Sequence, residues 1–599
     1  MQVTLRIVQF LGVLLLGFGL VLPSYAQAPA WLSATTLGQR EFPPYYATST
    51  TKVVVATAPD GQGNLYVTGY FAGTVAFGAT TLVSTIIPGY ADIYSTDIFV
   101  AKWSLADNRY LWATSASGGG SEGGSQLVVS GANLYIAGTT YFKQSQAGSL
   151  RFGTTTLPTG TGYSIFVAKL TDTGTSGVWK WGKTGNNEYL ASVNGLAVNG
   201  STVYLAGNLC GTMTFDGKTV RSNQSLAYNA GDLLLAKFTD AGTSATVNWV
   251  QVAGSATYEY TDALAVSGTT LYVAGSYFNT STIGTTTMPN TGKDTSTDAF
   301  ITKFSDTGTT ATPVWTQHLG GTSSDRVGSL VASGNTVYAV GHFYSPSLEL
   351  GTPVTTTLTN QDPAGTSDLF LAKLVDAGTS SSFAWIQQAG GIGSEQAAHL
   401  VRAGNALFVT GTFSGATATF GRTVLTNATA AGGVQDLYVA RFNETPTGAT
   451  LAWAQQAGST SYDYAYSLNL LGNRLYLAGF SNEAATFGAF TLPQSSSYLA
   501  SLGADAPLSA AGTTSLPAFT LYPNPARTTL TVQVPAIAGA TQAVLTLHDA
   551  LGRVVQTTAW TPPAAGLTHQ LSVTGLARGI YLLRLQASTT VAVRQVMIE

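Results

Sequence analysis

One five-residue phrase recurs seven times along the chain. Leu-Tyr-Val-x-Gly, with conservative exchanges, ends at Gly69, Gly138, Gly207, Gly275, Gly341, Gly411 and Gly479, at intervals of 66 to 70 residues. A unit of this size cannot bury its apolar surface alone, so the sequence demands an array of equivalent pieces packed on one another. Two further phrases keep step. Asp-Leu-Phe-Leu-Ala-Lys and its variants place a basic residue at Lys102, Lys169, Lys237, Lys303, Lys373 and Arg441, with a degenerate seventh copy at Tyr498 to Leu502. Trp112, Trp181, Trp249, Trp315, Trp385 and Trp453 each stand 26 residues before a repeat glycine. Trp31 is a seventh copy, 38 residues ahead of Gly69 across a longer linker.

Each repeat therefore supplies four strands: an apolar run such as Leu264-Ala265-Val266, the Leu-Tyr-Val strand, the Phe-Leu-Ala-Lys strand, and the tryptophan strand. Asp172-Thr173-Gly174, Asp240-Ala241-Gly242, Asp306-Thr307-Gly308 and Asp376-Ala377-Gly378 read as hairpin turns between the third and fourth strands. A Phe-Gly or Leu-Gly pair, as at Phe77-Gly78 and Leu350-Gly351, marks another turn between the second and third. Runs such as Ile98-Phe99-Val100-Ala101 and Leu233-Leu234-Leu235-Ala236 do not alternate with polar residues, so both of their faces must be covered. Four-stranded sheets stacked in a ring provide that cover. The fold class expected is all-β: a seven-bladed β-propeller followed by a small antiparallel β-sandwich. The chain enters on a lone tryptophan strand and leaves the repeats after a third strand. Trp31 should therefore complete the last blade beside Tyr498 to Leu502, leaving no open sheet edge.

Composition agrees and narrows the function classes. Only 9% of residues are charged, glycine numbers 67, and the net charge of −3 offers no basic stripe for nucleic acid. The single cysteine, Cys210, allows neither an intrachain disulfide nor a thiolate cluster and reads as a small buried apolar residue. Arg6, the apolar run from Val8 to Leu22, and Ser24-Tyr25-Ala26 have the layout of a secretory signal peptide over residues 1–26. No cysteine follows the cleavage site to carry a lipid. The remaining domains expected are the propeller at 29–503, a linker rich in Ala, Ser and Thr at 504–517, and the sandwich at 518–599.

The last segment carries a specific set of landmarks. Tyr522-Pro523-Asn524-Pro525-Ala526 is followed by Asp549-Ala550-Leu551-Gly552-Arg553, then by Gly579-Ile580-Tyr581-Leu582, then by a terminal strand ending at Glu599. In this order they resemble the type A C-terminal sorting domain of the type IX secretion system. An acidic Glu599 stands where a basic residue is common in that family. The resemblance implies export through the periplasm and outer membrane to the cell surface or medium. The partners it implies are the type IX machinery and a sortase-like peptidase. The repeats resemble, more loosely, a bacterial propeller repeat with no assigned activity, which adds fold and nothing about ligand.

Candidate sites are few. Glu122, Glu259, Asp325, Glu395 and Asp463 each lie ten residues after a tryptophan, and the Trp181 repeat has Ala191 instead. As a ring of loop carboxylates they could bind a cation or furnish a glycosidase pair. Recurrence in most blades favours a structural role, with loop N–H groups as donors. Gly119-Gly120-Ser121-Glu122-Gly123 spells a nucleophile-elbow motif but falls in a repeat loop, not between a strand and a helix. His318, His342, His399, His548 and His569 show no metal spacing. The tryptophans should pack between sheets rather than stack on sugars. No catalytic residue, metal site or cofactor is expected. The protein reads as a monomeric, non-enzymatic surface or secreted module for an unidentified glycan or protein. A polysaccharide hydrolase or lyase, or an architectural coat protein, are the alternatives.

Overall fold

The structure is a computed structural model that describes residues 28–39, 51–86, 95–142, 148–187, 189–223, 231–290, 292, 296–351, 355–362, 365–429, 432–505, 519–534, 543–549, 554–560, 567–587 and 590–599. The expected signal peptide, most of the linker, and the sorting-motif residues Gly552 and Arg553 lie outside them. The chain divides into two compact units, one built on Ala28–Pro507 and one on Leu508–His548 with Val554–Glu599. Every regular element among the described residues is a strand.

In the first unit the repeats form seven antiparallel sheets, four of four strands and three of six. The first blade runs Thr51–Pro59, Asn64–Ala72, Asp97–Ser104, Arg109–Gly118, and the others follow the same order. The first strands of successive blades pack on one another around a closed cycle, with Asp463–Leu471 returning against Thr51–Pro59. The ring is a β-propeller closed by its N-terminal strand. Trp31–Gln39 pairs antiparallel with Ser496–Gly503, bringing Trp31 opposite Leu502 and Thr36 opposite Tyr498. Ser33 Oγ and Ser501 Oγ lie 2.7 Å apart across 468 residues of sequence.

The third strands are buried on both faces, as their unbroken apolar runs require. All eight residues of Asp97–Ser104 are buried, and Leu233, Leu234 and Leu235 are wholly inaccessible. Each such leucine contributes about 1.5–3 kcal/mol by leaving water. The repeat glycine has a steric cause. The first strand bulges opposite it in all seven blades, and its carbonyl reaches across: a Cβ added at Gly207 would lie 1.9 Å from Ser192 O.

One element exceeds the expectation. The Phe-Gly turn between the second and third strands is a hairpin of two short strands, such as Ser149–Phe152 with Thr155–Pro158. In three repeats that hairpin extends the sheet of the preceding blade, for example by pairing Leu150 with Gly118.

The second unit holds a three-stranded sheet (Thr520–Tyr522, Thr529–Val534, Leu567–Ser572). A four-stranded one (Val554–Trp560, Ala543–His548, Gly579–Ala587, Thr590–Ile598) shares a core of Leu530, Val532, Leu545, Leu583 and Val596 with it. This is the small antiparallel sandwich expected. Asn524 ties the opening motif to the last strand, donating to Gln595 O at 2.9 Å and accepting from Met597 N at 2.8 Å. Tyr581 is buried and donates to Ala577 O, while Tyr522 stays half exposed.

Candidate functional site

The recurrent polar residues form two kinds of contact, at opposite ends of the third strand. At one end three donors of each blade converge on the turn acid of the next. Tyr66 Oη and Lys102 Nζ each donate to Asp172 Oδ2 at 2.7 Å, and Trp112 Nε1 reaches Oδ1 at 3.1 Å. The same clasp joins Tyr135, Lys169 and Trp181 to Asp240; Tyr204, Lys237 and Trp249 to Asp306; and Tyr272, Lys303 and Trp315 to Asp376. It weakens further round. Tyr338 and Lys373 meet Glu444 with Trp385 Nε1 left unpaired, and Arg441 meets the exposed Asp505. Burial alone would raise the Asp172 carboxyl, but hydrogen bonds from Lys102, Tyr66 and Gly174 outweigh it and hold the group below the usual range. Asp240, Asp306, Asp376 and Glu444 are lowered in the same way. The tryptophans pack between sheets as expected, and they also act as donors.

At the other end lie the five candidate acids, each at or near the start of a first strand. They do not form a surface ring. Glu122, Glu259, Asp325, Glu395 and Asp463 are at most 1% exposed. Each faces the aspartate that opens the preceding blade's third strand: Asp97, Asp232, Asp298, Asp368 and Asp436 respectively. The two acids come and go together. Where the first strand has Ala191, its opposite number is Ser164, and where it has Lys52, the opposite number is Ser496. Loop donors satisfy them in part: Gly120 N for Glu122, Ser255 N and Ser281 Oγ for Glu259, Ser345 N for Asp325, Gly391 N for Glu395, Ser459 N for Asp463. Among the described residues no group of three or more His, Cys, Asp or Glu is placed to hold a metal.

Burial and like charge push these acids upward. Desolvation takes Asp232, Asp325 and Asp436 to about 7, Glu395 to about 8 and Asp463 to about 6. Glu122, beside Asp97, is raised by burial and then by the neighbouring charge. Ser121 begins an inner strand, which leaves the elbow reading without its helix. His318 is buried on Asp298 at 3.0 Å, and His399 is pushed down to about 4 by burial.

The divergent residues tell a different story. The position just after the junction residue (Lys52, Glu122, Ala191 and the four acids that follow) is Val53, Gly123 or Ser192 in blades 1–3, but Tyr260, Arg326, Gln396 and Tyr464 in blades 4–7. Arg326, Gln396 and Tyr464 make side-chain contacts with neighbouring polar or aromatic residues. Arg326 Nε donates to Asp262 Oδ1 at 2.9 Å and stands across the register from His342. The His342 and Tyr344 rings are 6.0 Å apart, and Gln396 Nε2 donates to Tyr344 Oη at 2.8 Å. Tyr464 and Tyr466 stack with centroids 5.9 Å apart. Arg326 is half exposed, while burial and the Arg326 charge push His342 down to about 4. Blades 4–7 thus bring aromatic faces, a neutral imidazole, a guanidinium and an amide to this end of the inner strands. Sequence reading missed it because the phrases draw the eye to sameness, whereas this rim is visible only once register aligns the differences.

Comparison with known proteins identifies one part of the chain. The sequence family described as Secretion system C-terminal sorting domain matches residues 520–599. Those residues are a type IX sorting domain. The protein is thereby exported to the cell surface or secreted. No curated protein matches the chain. Solved structures resemble it weakly. A protein provisionally named a 6-phosphogluconolactonase from Bacteroides fragilis has 11% identity over 74% of this chain and 98% of that one, with a TM-score of 0.33. The Pyrococcus horikoshii acylaminoacyl peptidase has 9% identity over 82% of this chain and 59% of that one, with a TM-score of 0.36. The Trypanosoma rangeli sialidase has 8% identity over 71% and 86%, with a TM-score of 0.23. Likeness at this level says nothing of activity.

Proposed function

We propose that the exported propeller is a non-enzymatic binding module that takes a glycan at the inner rim of blades 4–7. The observation that carries this reading is the asymmetry of the rim. Tyr260, Arg326, Gln396 and Tyr464 stand in blades 4–7 where blades 1–3 have Val53, Gly123 and Ser192. Aromatic faces suit the apolar faces of sugar rings, and guanidinium and amide groups suit their hydroxyls. The junction acids support a binding role over a hydrolytic one, since each is at most 1% exposed and held by loop N–H groups.

A glycan array probed with the full secreted chain tests this reading. Arg326→Ala and Tyr464→Ala should each lower the signal at least about tenfold, the range expected for losing one charged hydrogen bond or one stacking face. An array signal unchanged in both variants contradicts it. Turnover of a polysaccharide that disappears in Glu395→Gln would establish the hydrolytic alternative instead.

A further inference from the structure

The seam where the ring closes breaks the repeat pattern at two positions in one place. Lys52 replaces the junction acid at the start of the first blade. Its side chain crosses the closing strand at Gly38, where an added Cβ would come within 2.6 Å of Lys52 Cε. Its Nζ donates to Ala76 O at 3.1 Å and lies 4.4 Å and 4.7 Å from the ring centres of Phe77 and Tyr110. Among the described residues no carboxylate forms an ion pair with it, and burial pushes the ammonium down to about 8. Trp103 follows the repeat lysine where the other six repeats have Leu170, Phe238, Phe304, Leu374, Phe442 and Leu502. Trp103 is 5% exposed and its Nε1 has no hydrogen-bond partner. Arg109 stands at the rim, 3.7 Å from an exposed Asp107.

These groups line one cavity of about 430 Å³, with Gly38, Ala76 and Tyr110 among its walls and no aspartate or glutamate among the described residues that line it. Its strong polar groups are donors: an ammonium, a guanidinium and an orphaned indole N–H. Tyr110 spends its hydroxyl on Leu37 O at 2.7 Å, and its ring is set edge-on to Trp103 at 4.7 Å with only 7% of the residue exposed. A buried N–H without an acceptor, as at Trp103 Nε1, is costly unless a ligand completes it.

We propose that this seam cavity binds a carboxylate-bearing sugar. The carboxylate lies between Lys52 and Trp103 Nε1, and the sugar ring rests on the strip of the cavity wall beside Tyr110. Inorganic phosphate would meet the charge but leave the aromatic wall uncovered. The cavity is separate from the rim of blades 4–7, so the two sites stand or fall independently.

Calorimetric titration of the full chain with sodium glucuronate tests the proposal, with glucose and inorganic phosphate as comparators. Saturable glucuronate binding is expected, at least tenfold tighter than either comparator. Lys52→Met and Trp103→Phe should each weaken it by about 10- to 100-fold, the loss of one charge-assisted hydrogen bond. Trp103→Phe keeps a ring in place, so a thermal transition matching the parent shows that the loss is not unfolding. Glucuronate should also protect Lys52 from acylation at pH 8, read by peptide mass. No saturable uptake, equal uptake of glucose or phosphate, or unprotected Lys52 at saturating glucuronate would overturn the proposal.

Discussion

Replacing Asp306 by Asn tests whether the clasps hold the blades together. Asp306 accepts from Tyr204 Oη at 2.7 Å, Trp249 Nε1 at 3.1 Å and Lys237 Nζ, and its own side chain is 1% exposed. Asn keeps the shape and one acceptor oxygen but leaves the Lys237 charge, itself only 15% exposed, without a counter-ion. Breaking one side of a buried pair costs about 3–5 kcal/mol, and residual access to water places this case near the lower end. Asp505→Asn is the internal control. Asp505 is 65% exposed and its partner Arg441 also donates to Ala504 O, so its loss should cost under about 1 kcal/mol. Urea denaturation followed by tryptophan fluorescence and circular dichroism gives both values, provided the two probes coincide. Equal losses in the two variants, or a loss below about 1 kcal/mol for Asp306→Asn, would refute the assignment of the clasp as a buried, charge-dependent joint.

Two further outcomes follow from the junction chemistry. Clasp acids sit below their ordinary range, so their stabilisation is lost as pH falls through their lowered values. The junction acids sit above it, so folding favours their protonated forms and stability declines as pH rises from about 4 toward the values near 7 and 8 of Asp232, Asp436 and Glu395. The thermal midpoint should therefore peak on the acid side of neutrality and fall toward pH 9, less steeply in Glu395→Gln; a midpoint still rising at pH 9 contradicts this. Gly207→Ala should lower the urea midpoint by the equivalent of about 2 kcal/mol or more, because its Cβ would sit 1.9 Å from Ser192 O. An unchanged midpoint would show that the bulge opposite Gly207 relaxes freely.

Strand order and ring closure were legible because both-face burial leaves an apolar run no other partner, and because Trp31 and Leu502 are matching ends of one interrupted blade. The clasp was only half legible. Asp306 was readable as a turn residue, but its partners lie 57 to 102 residues earlier and are chosen by blade geometry. The pairing of junction acids left a trace in the sequence, the joint loss at Ser164 with Ala191 and at Ser496 with Lys52, yet the candidate acids were read singly. Their burial was not readable, since a loop carboxylate and a sealed one have the same letters. The rim and the seam were least legible. Arg326, Tyr464 and Lys52 matter because they differ from their counterparts, and counterparts are defined only by register.

Closure by the N-terminal strand underlies all of this, because it places Lys52 at a seam and completes the last blade. A Ser33→Cys/Ser501→Cys double variant tests it directly, since the two hydroxyls are 2.7 Å apart in paired strands. Mild oxidation should join peptides from the two ends of the repeats by a disulfide, with a mass loss of two hydrogens in the intact monomer. Free thiols at both positions in the folded, oxidised protein would contradict the closed ring.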